Sequence, residues 1–223
     1  MTSNSGRFLS ESNRVEAFSD GVLAIAITLL VLNLHTESRV GHVGHDLLVL
    51  WPSYLAYVAS FLYIGVIWIN HHALFNRIVN VDTRLLWCNL GLLLTAAVLP
   101  FPTAEVAMAM GRGTHGDQVS AIALYAVVAA TMGVAWLLTF TYLTRHPELL
   151  RRDVPATFFA AERPRAAVGV VAPFVPVAVG LISPRAALGL IVLIPIFYAA
   201  TVDGLRHREG QAKPSLKPWR HEG

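Results

Sequence analysis

The sequence predicts an all-α membrane protein with six transmembrane helices, and three observations predict it. Of its 223 residues, 55% are hydrophobic and only 14% charged, with a mean hydropathy of +0.55, whereas soluble domains carry about 25% charged residues. The apolar residues gather into six runs at about 14–34, 48–69, 85–108, 119–143, 165–182 and 186–203, each near the ~20 residues that cross ~30 Å of hydrocarbon. Lys and Arg concentrate in alternate connections. Residues 1–13 then form an N-terminal arm, 14–203 the membrane domain and 204–223 a basic tail.

The opening MTSNSGRFLSESNR lacks a short apolar core followed by a small-residue cleavage site, so the first run is expected to be retained rather than removed as a signal peptide. The last two runs are short and meet at Ser183-Pro184, which leaves a re-entrant pair as the alternative to two crossings. Pro173, Pro176 and Pro195 are expected to kink this pair or to mark irregular packing. The single cysteine, Cys88, lies in an apolar stretch, so no intrachain disulfide exists to report the compartment.

Orientation follows from the basic residues. With six crossings, only Arg39, Arg112 and Arg185 of the 17 Lys and Arg fall on one side; the rest lie in the N-terminal arm, the loops 70–84 and 144–165, and the tail. That asymmetry places both termini in the cytoplasm. The net charge of +3 is therefore a product of topology and gives no reason to expect nucleic acid. The arginine-rich 144–165 loop is assigned to topology and lipid headgroup contact. The chain has no G-x-x-x-x-G-K-[ST] and no zinc-type Cys/His spacing.

The first run, RVEAFSDGVLAIAITLLVLNL, divides by face. Asn13 followed by Glu16 matches a capping box and starts the helix at Arg14; running to Leu34 it is about 31 Å long, one crossing. At ~100° per residue, Arg14, Phe18, Gly21, Ile25, Thr28, Leu29 and Leu32 share one side, and Ser19 and Asp20 point the other way. An intramembrane carboxylate costs about 2.5–3.5 kcal/mol at the bilayer centre and less near its edge, so it normally turns toward protein and finds a partner. Arg14, six residues away, does not stack on Asp20 as an i,i+4 pair would, so the partner is expected from another helix. The second run supplies Trp68, Asn70, His71 and His72 at the same level, and the third adds Asp82, Arg84 and Asn89. On spacing alone the apolar stripe fits helix packing, lipid contact or a pore lining, and FSD fits a local cap or an interhelical network. The paired histidines read first as interfacial residues rather than as metal ligands or catalytic acids.

Three motifs carry a resemblance. R-x-x-x-F-S-D-G-V-x-A-I-x-x-T-L-L at 14–30, W-x-N-H-H-x-L-F at 68–75, and D-T-R-L-L-W-x-N-L with P-F-P-T at 82–103 closely resemble the prokaryotic members of the transmembrane protein 175 family of potassium channels. The resemblance implies a cation channel without cofactor or catalytic residue, embedded in the plasma membrane, with the first helix of four identical subunits lining the axis. A homotetramer also suits a chain with one such stripe, since a ring of identical helices encloses what one cannot. By motif position, Ile25 matches the apolar constriction, Leu29 and Leu32 continue the lining, and Thr28 matches a threonine tied to selectivity. Arg14, Ser19, Asp20, Trp68, His71 and Asn89 match an interhelical polar network behind the pore. The sequence lacks the T-V-G-Y-G filter, so apolar rings that dewet when narrow are the expected gate, opening as the first helix tilts or rotates on the polar network. The alternative is a proton-coupled secondary transporter using Asp20 and His71; an intramembrane enzyme built on the paired histidines would need a nucleophile or metal at their depth.

Overall fold

The computed structural model describes residues 10–34, 42–155 and 157–201; the basic tail and most of the N-terminal arm lie outside them. Prolines and polar caps decide where its helices begin and end. α1 (Ser12–Leu30) follows a two-residue strand, β1 (Ser10–Glu11), and finishes in a 3-10 turn at Val31–Asn33. It starts ahead of the expected Asn13 cap, and the Glu16 carboxylate reaches His72 on a neighbouring helix. The seven-residue α2 (Val43–Val49) leads into α3 (Trp51–Phe75), with Pro52 in its first turn, where a missing N–H leaves no intrahelical bond unmade. α3 runs to Phe75, well past the expected end at 69.

β2 (Asn80–Val81) pairs antiparallel with β1, Ser10 opposite Val81 and Glu11 opposite Asn80. This ribbon and an antiparallel bridge between Ile78 and Leu150 depart from the all-α expectation, and strands this short leave no alternating pattern. Asp82 then caps α4 (Thr83–Val98) by accepting the Leu85 N–H at 2.9 Å.

The expected run 85–108 is interrupted. α4 gives way at Leu99 to α5 (Pro100–Arg112), because Pro100 and Pro102 lack the N–H groups that would continue the ladder. Leu99 repairs the joint: its N–H bonds the Ala96 carbonyl at 3.2 Å, and its own carbonyl accepts from Thr103 N–H at 3.2 Å and Thr103 Oγ1 at 2.8 Å. Since the Thr103 proton is used there, Ser60 donates to Thr103 at 2.7 Å and Tyr125 donates to Ser60 at 3.2 Å. This relay of buried hydroxyls ties α3 and α6 to the break.

α6 (His115–Arg145) opens with a complete capping box between Thr114 and Asp117 and at 31 residues is about 46 Å long. A 3-10 turn at Pro147–Leu149 follows, and then α7 (Phe158–Val171), α8 (Phe174–Gly180) and α9 (Pro184–Thr201). The expected loop 144–165 is therefore shorter: its second half is helix, with Phe159 only 1% exposed and Pro164 accommodated inside α7. The expected run 165–182 is divided between α7 and α8 at Ala172-Pro173. α6 and α7 touch backbone to backbone, since a Cβ on Gly133 would lie 2.6 Å from the Gly169 carbonyl carbon. Only glycine permits that approach.

Four stretches are long and apolar enough to cross a bilayer: Ser12–Asn33, Trp51–Phe75, Thr83–Arg112 and His115–Arg145; Pro184–Ala199 is apolar but shorter. Their buried side chains form two clusters. The larger includes Leu23, Leu30, Ile64, Leu92 and Ile122 along the helices. The smaller gathers Val15, Phe75, Ile78, Leu85, Leu143 and Phe159 at the arginine-rich end. There Val79 N–H bonds the Leu149 carbonyl at 2.9 Å, Arg151 N–H bonds the Arg77 carbonyl at 3.0 Å, and the Arg77 guanidinium sits 4.6 Å from the Phe158 ring centroid.

Candidate functional site

α1 has one covered and one uncovered side. Val15, Ser19, Leu23, Ala26 and Leu30 are buried against α3, α4 and α5. Opposite them, Phe18, Ile25, Leu29 and Leu32 are 56%, 61%, 41% and 68% exposed in the isolated chain, with Arg14, Gly21 and Thr28 exposed beside them. The stripe expected from periodicity is thus the face the subunit leaves bare. Thr28 turns its hydroxyl inward along its own helix, donating to the Ile25 carbonyl at 2.8 Å. Its hydroxyl oxygen keeps lone pairs to offer on the exposed side.

The covered side carries the polar groups in two tiers. In the inner tier Ser19 Oγ donates to the Val15 carbonyl at 2.8 Å and accepts from Asn89 Nδ2 at 3.0 Å. The Asn89 carbonyl oxygen then faces His71 Nε2 at 2.9 Å, which makes Nε2 the donor in that tautomer. Ser19 and His71 are fully buried and Asn89 nearly so. His71 stacks on Phe75 with centroids 4.5 Å apart, and its Nδ1 is buried without a hydrogen-bond partner. α1, α3 and α4 are joined here by one continuous relay.

The outer tier is half exposed. The Trp68 indole N–H donates to Asp20 Oδ1 at 2.9 Å, a charge-assisted bond from a donor-only group. One helical turn on, His72 Nδ1 donates to Glu16 Oε1 at 2.6 Å while its Nε2 accepts from Asn76 at 3.0 Å. Trp68 and His72 stack at 6.3 Å. Asp20 therefore meets a partner from another helix, and that partner is an indole rather than a cation.

Of the residues expected in the network, Ser19, Asp20, Trp68, His71 and Asn89 are brought together. Arg14 is not: it is exposed and makes no hydrogen bond or ion pair with another described residue. Asp20 and His71 belong to separate hydrogen-bonded pairs. Spacing placed His72 at this level but did not pair it with Glu16, which read as a cap, and it missed Asn76. It missed Asn33, whose Nδ2 donates to the Pro100 carbonyl at 3.1 Å and fastens the far end of α1. It also missed Tyr142, which donates to Asp82 at 2.5 Å. Among the described residues no group of His, Cys, Asp and Glu is arranged to hold a metal ion.

This architecture defines a polytopic helical membrane protein whose first helix is fastened by polar bonds on one side and uncovered on the other. Comparison with known proteins narrows it. The family profile described as "Endosomal/lysosomal potassium channel TMEM175" matches residues 14–100. A protein of Streptomyces collinus, named as a potassium channel, is 40% identical over 208 residues, spanning 92% of this chain and 99% of that one. The crystal structure of a lysosomal potassium-selective channel TMEM175 homolog from Chamaesiphon minutus aligns with a TM-score of 0.67 at 31% identity, covering 85% of this chain and 96% of that one. The human protein named as an endosomal/lysosomal proton channel is 27% identical over 226 residues, 44% of its length. The chain belongs to the TMEM175 family.

Proposed function

We propose that this protein is a subunit of a potassium-permeable channel that conducts passively, with four copies arranged so that their α1 helices surround the ion path. The uncovered stripe on α1 carries this reading: Ile25, Leu29 and Leu32 face away from their own subunit while Ser19 and Asp20 of the same helix are bonded to neighbouring helices. A lone membrane helix with no pore to line would direct polar groups inward and apolar groups to lipid in just this way; the names of the Streptomyces and Chamaesiphon relatives support the pore reading over lipid contact.

In the proposed tetramer Ile25 forms the narrowest ring, continued by Leu29 and Leu32, with Thr28 presenting its oxygen beside it. Apolar rings of this kind close by dewetting and conduct when widened. The chain makes six crossings, counting α7 with α8 and then α9 as the last two, and both termini face the cytoplasm of a cell whose plasma membrane holds the channel. Arginines at one end favour that orientation. No chemical step and no cofactor is involved; potassium is the permeating ion.

The test is potassium efflux from liposomes carrying the purified protein, with a protonophore as control. Ile25→Asn keeps the neck wet and is expected to raise voltage-building efflux several-fold; unchanged flux removes Ile25 from the ion path. A proton-conducting reading is favoured by the name of the human relative, and is tested in the same liposomes by following internal pH with potassium absent. Saturable flux that moves protons in fixed ratio to potassium would instead indicate a coupled transporter.

A further inference from the structure

On the side of α3 away from α1 lies a cavity of about 100 Å³ bounded by α3, α6, α7 and α9. Its position is set by Asn70 near the end of α3, Phe140 near the end of α6 and Tyr198 near the end of α9, all helix ends that meet the arginine-rich side. It is therefore at headgroup depth, and Tyr63, Pro173 and Ile194 extend the lining toward hydrocarbon.

Its lining is chemically uneven. Arg165 enters from α7 with its guanidinium 6.0 Å from the Tyr198 ring centroid. Glu162, whose carboxylate also lines the cavity, forms an ion pair with it, Oε2 to Nη1 at 3.9 Å, too long for a hydrogen bond, and Nη2 is buried with no hydrogen-bond partner. A planar fork with an unmet donor is the side chain best shaped for the oxygens of a phosphate. Trp136 and Tyr63 supply the ring faces typical of a membrane interface. The space itself depends on the Gly133–Gly169 contact, which sets how closely α7 lies on α6 beside it.

We propose that this cavity is a binding site for the phosphate headgroup of a membrane phospholipid, with Arg165 as the anchoring residue and Asn70 as a second polar contact. The acyl chains leave the cavity along the apolar lining. The proposal needs only the membrane embedding of the chain and stands apart from what the pore conducts. Because Asn70 adjoins His71 on α3, lipid in the cavity touches the helix that carries the polar network.

The test is native mass spectrometry of the full-length protein titrated with phosphatidylglycerol and with a diacylglycerol of identical chains, for wild type, Arg165→Gln and Arg163→Gln. Retention of the phospholipid over the diacylglycerol is expected. Arg165→Gln should weaken it at least about tenfold, the loss of one charge-assisted bond, while the exposed neighbour Arg163→Gln leaves it intact. Equal retention of diacylglycerol by wild type overturns phosphate recognition, and needs no variant to fold. An equal loss in Arg163→Gln overturns the cavity in favour of a diffuse basic surface. Displacement of bound lipid by millimolar inorganic phosphate overturns the lipid as occupant.

Discussion

The two faces of α1 follow opposite rules. The covered face holds the polar residues that bond to neighbouring helices, with Ser19 buried in a relay of hydrogen bonds and Asp20 bonded to Trp68, while the bare face holds large apolar side chains such as Ile25 and Leu32. In a soluble helix the apolar face turns inward. Here hydrocarbon, or the proposed pore, replaces water outside, so what holds the helix to its subunit is packing together with bonds between polar groups, and what faces out can be chosen for another purpose. Stability and permeation can then be altered separately, by changing one face or the other.

The largest expected loss comes from the covered face. Leu30 is 0% exposed, and Leu30→Ala should destabilise the protein by about 2–5 kcal/mol, read as a lowered Tm in detergent. Asn89→Leu leaves the His71 Nε2 proton without its acceptor and should cost about 1–3 kcal/mol, the penalty of an unmet buried donor. A Tm unchanged by Asn89→Leu would mean that the relay contributes nothing. Asp20→Asn keeps an acceptor for Trp68 but removes the charge, so a smaller drop is expected, about 1 kcal/mol, together with loss of the proposed tetramer on size exclusion ahead of any change in ion preference. Selectivity collapsing with assembly intact would place Asp20 in the ion path and reverse the two faces. The smallest stability change belongs to Ile25→Asn, within about 0.5 kcal/mol for an exposed position, while flux rises.

How much of this was legible depended on local pattern. The faces of α1 and the shared depth of Ser19, Asp20, Trp68, His71 and Asn89 follow from helical periodicity and from the cost of an intramembrane carboxylate, both readable along the chain. The joint at Leu99–Pro100 was readable only as a pair of prolines, because the hydroxyls of Thr103, Ser60 and Tyr125 that brace it come from three separate segments. The second half of the 144–165 loop looked like a connection because Pro155, Glu162, Arg163, Pro164 and Arg165 interrupt its apolar residues, yet Phe159 finds a core supplied by Phe75 and Leu143. Glu16 satisfied a capping rule on paper, and tertiary contact with His72 prevailed. Such contacts link residues dozens of positions apart and leave no periodic trace.

Asn33 holds the Pro100 carbonyl at one end of α1, and Ser19 holds Asn89 at the other. A beam clamped at both ends cannot swing as a lever about either; under load it bows or twists, with greatest displacement midway. Ile25 stands at the middle of that interval. Deflection of this helix is therefore greatest at the residue proposed to close the path, and loosening either clamp would spread it along the stripe.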